Sequence, residues 1–317
     1  MAFSEELREF AATVSNWGRW GEEDQLGCGN FLTAEAALRG ARSIQSGEAI
    51  SLAVNLDSKG IQVGQPAGRV NASLSFSSLH ERDAKAPGIW LGCDDLFTMS
   101  TCAATHIDCL SHISYDGLLY GGKPKDLITA EGATWCGAET LKPISTRGIL
   151  VDLLRQEDAD ILESGYSIDA ADMDRAYELA GLEPQPGDIV CVRTGEIRDY
   201  FAGNRYKYAV GEDGSSWQKI GLSLSATKWF HEQDIAGAFL DNYHYEVMPP
   251  STGNWDDLLV VHMIQLRDMG FLQGQNWNFE GLAEACHRDG RMDFHLVAVP
   301  EPLVGATSAP VAPVALR

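Results

Sequence analysis

Residues 105–112 read Thr-His-Ile-Asp-Cys-Leu-Ser-His and place two histidines and one aspartate close together. In an extended segment successive side chains alternate between faces, so His106, Asp108 and His112 share one face if the strand continues. Imidazole and carboxylate suit a divalent ion such as Zn²⁺ or Mn²⁺, and an unligated histidine nearby would move a proton. The alternative is structural, with two hydrogen-bonded histidines and a turn-forming aspartate. The stretch therefore predicts either a metal-dependent active site or a polar turn.

The longer segment 99–117 reads Met-Ser-Thr-Cys-Ala-Ala-Thr-His-Ile-Asp-Cys-Leu-Ser-His-Ile-Ser-Tyr-Asp-Gly. It resembles the signature of the cyclase family, which includes bacterial kynurenine formamidase and isatin hydrolase. The family pattern is His-x-Gly-Thr-His-x-Asp-x-Pro-x-His, and the positions that match it are Thr105, His106, Asp108 and His112. Three positions depart from the pattern: Cys102 stands for the first His, Ala104 for Gly and Leu110 for Pro.

Further blocks extend the resemblance over nearly the whole chain. They lie at residues 16–33, 186–195, 241–246, 262–276 and 304–315. The resemblance implies the swivelling β/β/α architecture of the cyclase family.

Local patterns predict alternating strands and helices. Ser4 and Thr33 are candidate N-caps for helices that run to about Val14 and to near Gly47. Apolar, mostly β-branched runs bounded by turn residues predict buried strands at 49–56, 148–154, 188–194, 236–241 and 294–299. Helical patterns occur at 170–180, 226–233 and 258–269. This alternation indicates an α/β fold with a mixed sheet covered by helices.

Length and composition indicate a soluble enzyme. A chain of 317 residues can bury about three quarters of its unfolded surface, and no linker or repeat divides it. We expect a single domain over residues 1–317, with an N-terminal helical arm over about 1–47. The Gly-, Tyr- and Lys-rich segment of about 195–221 is expected to form a lid or a long excursion.

Charge and cysteine content limit the partners and the compartment. A net charge of −21 argues against nucleic acid and gives no support to anionic membrane binding, which leaves a small-molecule substrate. The sequence lacks a signal-peptide core and an apolar run long enough to span a bilayer, so we expect a cytoplasmic protein. Its seven scattered cysteines are expected to be reduced thiols. We expect a homodimer or homotetramer.

The departures from the family pattern bear on the number of metal ions. In the two-metal formamidase relatives, the resemblance implies ligands from the signature and from a downstream His and Glu, and Gln275 takes the place of that Glu. Because Cys102 replaces an imidazole and Gln275 a carboxylate, two adjacent dications would be harder to hold. Similarity to isatin-hydrolase-like members implies one Mn²⁺ per chain, with Zn²⁺ as the alternative, held by His106, Asp108 and Gln275.

Three residues are expected to support this site. A rival interpretation keeps Cys102 as a thiolate ligand of Zn²⁺. His262 lies in an apolar helical pattern and is expected beside the ligands or as the remnant of a second metal site. Glu246 either contacts the substrate or orders the sheet edge, and the sequence favours neither role.

The leading hypothesis is a metal-dependent hydrolase of a small cyclic amide, such as an isatin-like lactam, or of an aryl formamide. Such a metal can polarise a carbonyl group and lower the pKa of a bound water. The alternatives are a lactone hydrolase, a cyclase or dehydratase that uses the same metal, and a non-catalytic binding protein.

His112 is expected to transfer the proton, because histidine side chains titrate near a pH of about 6.5. Its alternative role is to orient Asp108 through a hydrogen bond. Trp17 and Trp90 are expected to wall an aromatic substrate pocket, and the alternative is that they are ordinary core residues.

Overall fold

The computed structural model describes residues 3–66, 68–81, 88–211 and 217–317. The strands of this part of the chain are β1 (Ala49–Ser51), β2 (Ser73–Glu81), β3 (Gly92–Thr98), β4 (His106–Asp108), β5 (Ile128–Thr129), β6 (Gly132–Ala133), β7 (Ile144–Asp152), β8 (Ser167–Ile168), β9 (Ile189–Arg193), β10 (Gly221–Leu222), β11 (Gly237–Leu240), β12 (Leu272–Gln275), β13 (Asp293–Ala298), β14 (Ser308–Pro310) and β15 (Val314–Leu316).

The α-helices of the same residues are α1 (Glu5–Thr13), α2 (Ala34–Arg42), α3 (Leu153–Gln156), α4 (Ala170–Ala180), α5 (Ile197–Phe201), α6 (Arg205–Val210), α7 (Leu224–Glu232), α8 (Val260–Met263) and α9 (Glu280–Asp289). Short 3₁₀ helices span Gly27–Phe31, Tyr120–Gly122, Lys125–Leu127, Ala138–Thr140 and Trp255–Asp257, and a π-helix spans Ile264–Met269. None of the helices that the structure describes is both long and apolar enough to cross a lipid bilayer.

A mixed sheet forms the centre of the molecule. Its order is β1-β15-β13-β7-β9-β11-β12-β4-β14. The middle strands β7, β9, β11 and β12 pair in parallel, and the strands on either side of them pair antiparallel. A mixed sheet was predicted, and the parallel strands in its middle account for the helices between them.

The two ends of this sheet must lie close together. β15 is second and β14 is ninth in the order, which would separate them by roughly 34 Å in a flat sheet. The segment Val311 to Pro313 connects them and can span no more than roughly 14 Å. Two hydrogen bonds hold this segment in place. Leu52 N donates to Pro313 O (2.9 Å), and Val311 N donates to Thr105 O (3.2 Å). The sheet therefore curls on itself.

Apolar side chains cover both faces of the parallel strands. In β9, Val190 and Val192 join a core with helices α4 and α7, whereas Ile189 and Cys191 join a second core with α9. Strands buried on both faces read as continuous apolar runs, and this explains why they were recognised in the sequence.

The helix starts agree with the predictions more closely than the helix ends. Ser4 accepts a hydrogen bond from Leu7 N, and Thr33 accepts one from Ala36 N, as N-caps do. The second helix ends at Arg42 and not near Gly47.

Two other predicted boundaries were wrong. The strand predicted over 49–56 ends at Ser51, because its partner strand is preceded by Pro313, which has no N–H to donate. The helix predicted over 258–269 is divided into α8 and the π-helix Ile264–Met269. All seven cysteines are free thiols, as predicted.

A hairpin of β2 and β3 was not predicted. It forms a separate two-stranded sheet, and its apolar side chains are more than half exposed, including Leu74, Phe76, Leu79, Leu96 and Phe97. Residues 82–87 between its strands lie outside the described residues.

Helix α2 docks on β7 through Gly40, where an added Cβ would lie 2.4 Å from the carbonyl of Thr146. Alanine normally favours a helix over glycine by about 1 kcal/mol, but here it would force the helix off the sheet. We expect Gly40→Ala to lower the free energy of unfolding by about 1–3 kcal/mol in urea denaturation. In the control Gly281→Ala in α9, the nearest atom is 3.5 Å away, so stability should be unchanged or slightly higher. Equal stability of Gly40→Ala and the wild type would contradict the close packing.

Candidate metal centre

Neighbouring strands bring His106, Asp108 and Gln275 together. β4 pairs with β12 so that His106 lies opposite Gln275 and Asp108 opposite Gln273. Because side chains alternate along a strand, His106 and Asp108 point to one face while Ile107 points into the core behind the sheet. The three predicted ligands are thus adjacent on one face.

His112 also lies beside these residues, but not because the strand continues, as the sequence pattern predicted. The strand ends at Asp108, so it does not carry His112 onto a shared face. A turn forms in its place, in which His112 N donates to Cys109 O (2.8 Å). This turn returns His112 Nδ1 to 3.8 Å from Asp108 Oδ1.

Three buried polar atoms at this point have no hydrogen-bond partner in the part of the chain that the structure describes: His106 Nε2, Asp108 Oδ1 and His112 Nδ1. His106 Nδ1 lies 2.8 Å from Ala104 O, so this nitrogen carries the proton and Nε2 presents a lone pair. That lone pair faces Asp108 Oδ1 at 3.5 Å. Two acceptors that face each other need a cation or a proton donor between them.

The protonation states favour a cation. Burial lowers the pKa of His106 to about 4, so its imidazole is neutral near pH 7. Burial alone would raise the pKa of Asp108, but the nearby His112, His106 and His262 outweigh it and lower that pKa. A neutral imidazole and an ionised carboxylate are the forms that bind a divalent metal.

A third metal ligand would have to be a group other than the side chain of His, Cys, Asp or Glu. Within the described part of the chain, no three His, Cys, Asp or Glu side chains are placed to hold a metal by themselves. Gln275 Nε2 donates to Asp108 Oδ2 (2.9 Å), and no described residue donates to Gln275 Oε1. An amide oxygen or a water therefore has to complete the set. The residues present fit one ion, and the ligand role of Gln275 stays a prediction.

Cys102 is buried, and burial raises the pKa of its thiol. A raised thiol pKa disfavours the thiolate that would bind Zn²⁺. This weakens the rival interpretation in which Cys102 is a ligand.

Glu246 and His262 form a buried pair behind the predicted ligands. The Glu246 carboxylate accepts from the backbone N–H groups of Val261 (3.0 Å) and His262 (3.1 Å) at the start of α8, and from His262 Nδ1. His262 Nε2 in turn lies 3.1 Å from Gln275 Nε2. A chain of polar contacts thus runs from Glu246 through His262 and Gln275 to Asp108.

The site opens into a cleft of about 340 Å³. Asp108, His112, His262 and Gln275 line it together with residues from several loops. The other lining residues are Gln65, Pro66, Arg69, Ile113, Ala209, Val210, Trp217, Tyr243, His244, Met248, Leu258 and Leu259. Its walls are mainly apolar, which is typical of a small-molecule pocket.

Trp17 and Trp90 do not line this cleft. The Trp17 indole donates to Arg267 O (2.6 Å), and the Arg267 guanidinium covers its ring. Trp90 is half exposed and precedes strand β3 of the hairpin. Their contact with substrate stays a prediction, and the tryptophan that lines the cleft is Trp217, which was not singled out in the sequence.

The segment predicted as a lid, 195–221, contains α5 and α6. Residues 212–216 of this segment lie outside the described residues. Ala209, Val210 and Trp217 contribute to the cleft wall. The segment is therefore beside the site, and its movement stays a prediction.

Comparisons with known proteins give consistent matches. A family model described as "Putative cyclase" matches residues 40–247. A crystal structure of a novel cyclase is 31% identical with a TM-score of 0.85, and the match covers 97% of this chain and 99% of that one. No curated protein matched the sequence.

Two isatin hydrolases are also similar in structure. Isatin hydrolase A from Ralstonia solanacearum is 14% identical with a TM-score of 0.60, over 84% of this chain and 91% of that one. An isatin hydrolase bound to the product analogue thioisatinate is 17% identical with a TM-score of 0.63, over 90% of this chain and 99% of that one. At these identities the likeness shows a shared fold.

Substitutions can separate ligands from the proton-transfer group. We expect the protein to bind about one Mn²⁺ or Zn²⁺ per chain, and His106→Ala or Asp108→Ala to lose it because each removes a buried donor atom. His112→Ala should retain the ion, as should the control His231→Ala. Elemental analysis after dialysis, with circular dichroism to confirm folding, measures this. Two tightly held ions at saturation, or loss of the ion from folded His112→Ala protein, would contradict the assignment.

Proposed function

Because this chain belongs to the family of putative cyclases, we propose that it is a metal-dependent hydrolase that opens a small cyclic amide or cleaves an aryl formamide. One observation carries the proposal: His106 Nε2, Asp108 Oδ1 and His112 Nδ1 are buried, close together and without a hydrogen-bond partner among the described residues, and Asp108 and His112 line an apolar cleft. Unpartnered buried polar atoms cost stability, and a ligand that satisfies them in the working protein accounts for their presence.

A single divalent ion, Mn²⁺ or alternatively Zn²⁺, would be held by His106, Asp108 and Gln275. When bound, it would polarise a carbonyl group and lower the pKa of a coordinated water. Hydrogen bonds orient the donor atoms before a metal binds. His106 Nδ1 donates to Ala104 O, and Gln275 Nε2 donates to Asp108 Oδ2, which leaves Asp108 Oδ1 free. Such supporting hydrogen bonds orient ligands and tune their basicity.

His112 is the group that moves the proton. Its side chain is 20% exposed, whereas the side chains of His106 and Asp108 are 1% exposed, so His112 alone of these three can meet both substrate and solvent. It would accept a proton from the attacking water and deliver it to the leaving nitrogen. Asp108 Oδ1 lies 3.8 Å from His112 Nδ1, so the two groups involved in this step are neighbours.

The shape of the cleft and the structural relatives support the substrate class. A cleft of about 340 Å³ lies at the small end of the range for ligand pockets, and its apolar side chains favour a compact ring. Isatin hydrolases share the fold, and one of them is bound to thioisatinate. A small cyclic amide is therefore favoured over a long or highly charged substrate.

Hydrolysis of lactams, lactones, imides and formamides in ¹⁸O-labelled water tests this function. We expect one solvent oxygen in the product of a lactam or formamide, and His112→Ala should lower kcat by about 10²-fold because a positioned acid or base contributes on that scale. His231→Ala is the control and should be unaffected. A product without solvent oxygen would indicate a cyclase or dehydratase, preference for lactones a lactone hydrolase, and binding without turnover a binding protein.

The exposed hairpin supports the expected self-association into a homodimer or homotetramer. Leu74, Phe76, Leu96 and Phe97 are all more than half exposed on a two-stranded sheet, which is marginally stable in water by itself. Apolar surface of this kind marks an interaction site, and a second copy of the chain is the partner we propose.

Charged substitutions in the hairpin test that interface. The double variant Leu74→Asp, Phe76→Asp should shift the protein toward the monomer in size-exclusion chromatography with light scattering, because carboxylates do not tolerate burial in an apolar interface. Leu179→Asp in α4 is the control, since it places a charge at an equally exposed apolar position. A wild-type monomer at micromolar concentration, or an unchanged mass of the double variant, would contradict the proposal.

A further inference from the structure

Arg69 stands apart from the other residues that line the cleft. Among the described residues of the lining it is the one Lys or Arg, and it faces a wall made largely of apolar side chains. No described carboxylate lies within ion-pair distance of its guanidinium. Arginine in such a place is an anion receptor, because its planar fork of N–H donors matches a carboxylate or a similar oxyanion.

The loop that carries Arg69 is held in place. Gln62 N donates to Asn71 Oδ1 and Asn71 Nδ2 donates to Gln62 O, both at 2.8 Å. Gln62 Nε2 donates to Ala103 O (3.0 Å), which joins the loop to the segment that leads into β4. These hydrogen bonds hold the two ends of the loop, Gln62 and Asn71, close together on either side of Arg69.

A tyrosine lies next to the Arg69 side chain. The Arg69 guanidinium lies beside the Tyr243 hydroxyl, which is 2.7 Å from Gln62 Oε1. One tyrosine oxygen can accept from only part of the guanidinium, so most of the five N–H donors of Arg69 remain available.

Arg69 also lies near the predicted metal ligands. It is close enough to act electrostatically on Asp108 and on His106, and it shares one cleft of about 340 Å³ with Asp108 and His112. A molecule that contacts both ends of this cleft must be small. One end of it would face Asp108 and His112, and the other would face a permanent positive charge.

We infer that Arg69 selects substrates that carry an anionic group, such as a carboxylate, on the ring or chain next to the bond that is cleaved. This inference rests on the proposed function and narrows its substrate class from small amides to small anionic amides. Arg69 is a specificity-determining residue in this account and takes no part in moving the proton.

Binding of a matched ligand pair tests the inference without turnover. Benzenesulfonate and methyl phenyl sulfone have similar shapes, but only the first is charged, and a sulfonate is a weak metal ligand. Calorimetry on the full-length, metal-loaded protein should show tighter binding of benzenesulfonate. Arg69→Met should weaken benzenesulfonate binding by about 10- to 100-fold, because a charge-assisted pair is lost, and leave the sulfone unchanged. Arg69→Lys should retain part of the preference, since it keeps the charge without the fork.

Lys59→Met is the control, because it removes the same charge from an exposed position and should leave both affinities unchanged. Equal losses for both ligands in Arg69→Met would show that Arg69 only shapes the cleft, and would overturn the inference. No preference for benzenesulfonate in the wild type would overturn it as well. Preserved binding selectivity without any hydrolysis would refute the proposed function, and Arg69 would then remain the anion-binding residue of the cleft.

Discussion

Pairing of β4 with β12 is the contact on which the whole site depends. It brings Asp108 and Gln275, which are 167 positions apart in the chain, within hydrogen-bond distance. A slip of one residue in this register would turn Ile107 toward the cleft and bury His106 and Asp108 in the core behind the sheet. The long sequence separation also means that the site exists only when the complete sheet has formed. Fold and chemistry are therefore specified by the same hydrogen bonds.

Several polar groups around this pairing are joined by hydrogen bonds between described residues. Glu246 takes three hydrogen bonds from α8 and His262, and Gln275 extends the chain of contacts to Asp108. Within the described residues, the atoms of this region without a partner are His106 Nε2, Asp108 Oδ1 and His112 Nδ1 at the site, together with Gln273 Oε1 on β12. A protein selected for stability alone would fill such positions with apolar groups, so their retention reflects the usual exchange of stability for function. The supporting contacts limit the motion of the donor atoms. The donors therefore need little rearrangement when a ligand binds.

Much of the fold could be predicted because its signals are local. The capping residues Ser4 and Thr33, the apolar strands and the family resemblance led to the mixed α/β, cyclase-like fold, which is confirmed. The proximity of His106 and Asp108 followed from alternation along a strand. The turn that returns His112, the bond between Glu246 and His262, and the place of Trp217 in the cleft depend on contacts between distant segments. No local pattern specifies those contacts. Strand β2 does carry a local signal, the alternation of serine with Leu74 and Phe76, although both of these side chains are exposed in the structure.

The position of β4 between β12 and β14 affects how the protein folds during its synthesis. Strand β4 is flanked by β12 and β14, so the strand that carries His106 and Asp108 has neither neighbour until residues 272–310 have been synthesised. Until then, the edges of β4 and the apolar side chains behind it have no partner and are open to association with other chains. Strand β4, in the N-terminal third of the chain, therefore cannot complete its strand pairing until the C-terminal strands have been synthesised. Slow translation or a truncated message would be costly for this fold well before metal or substrate became involved.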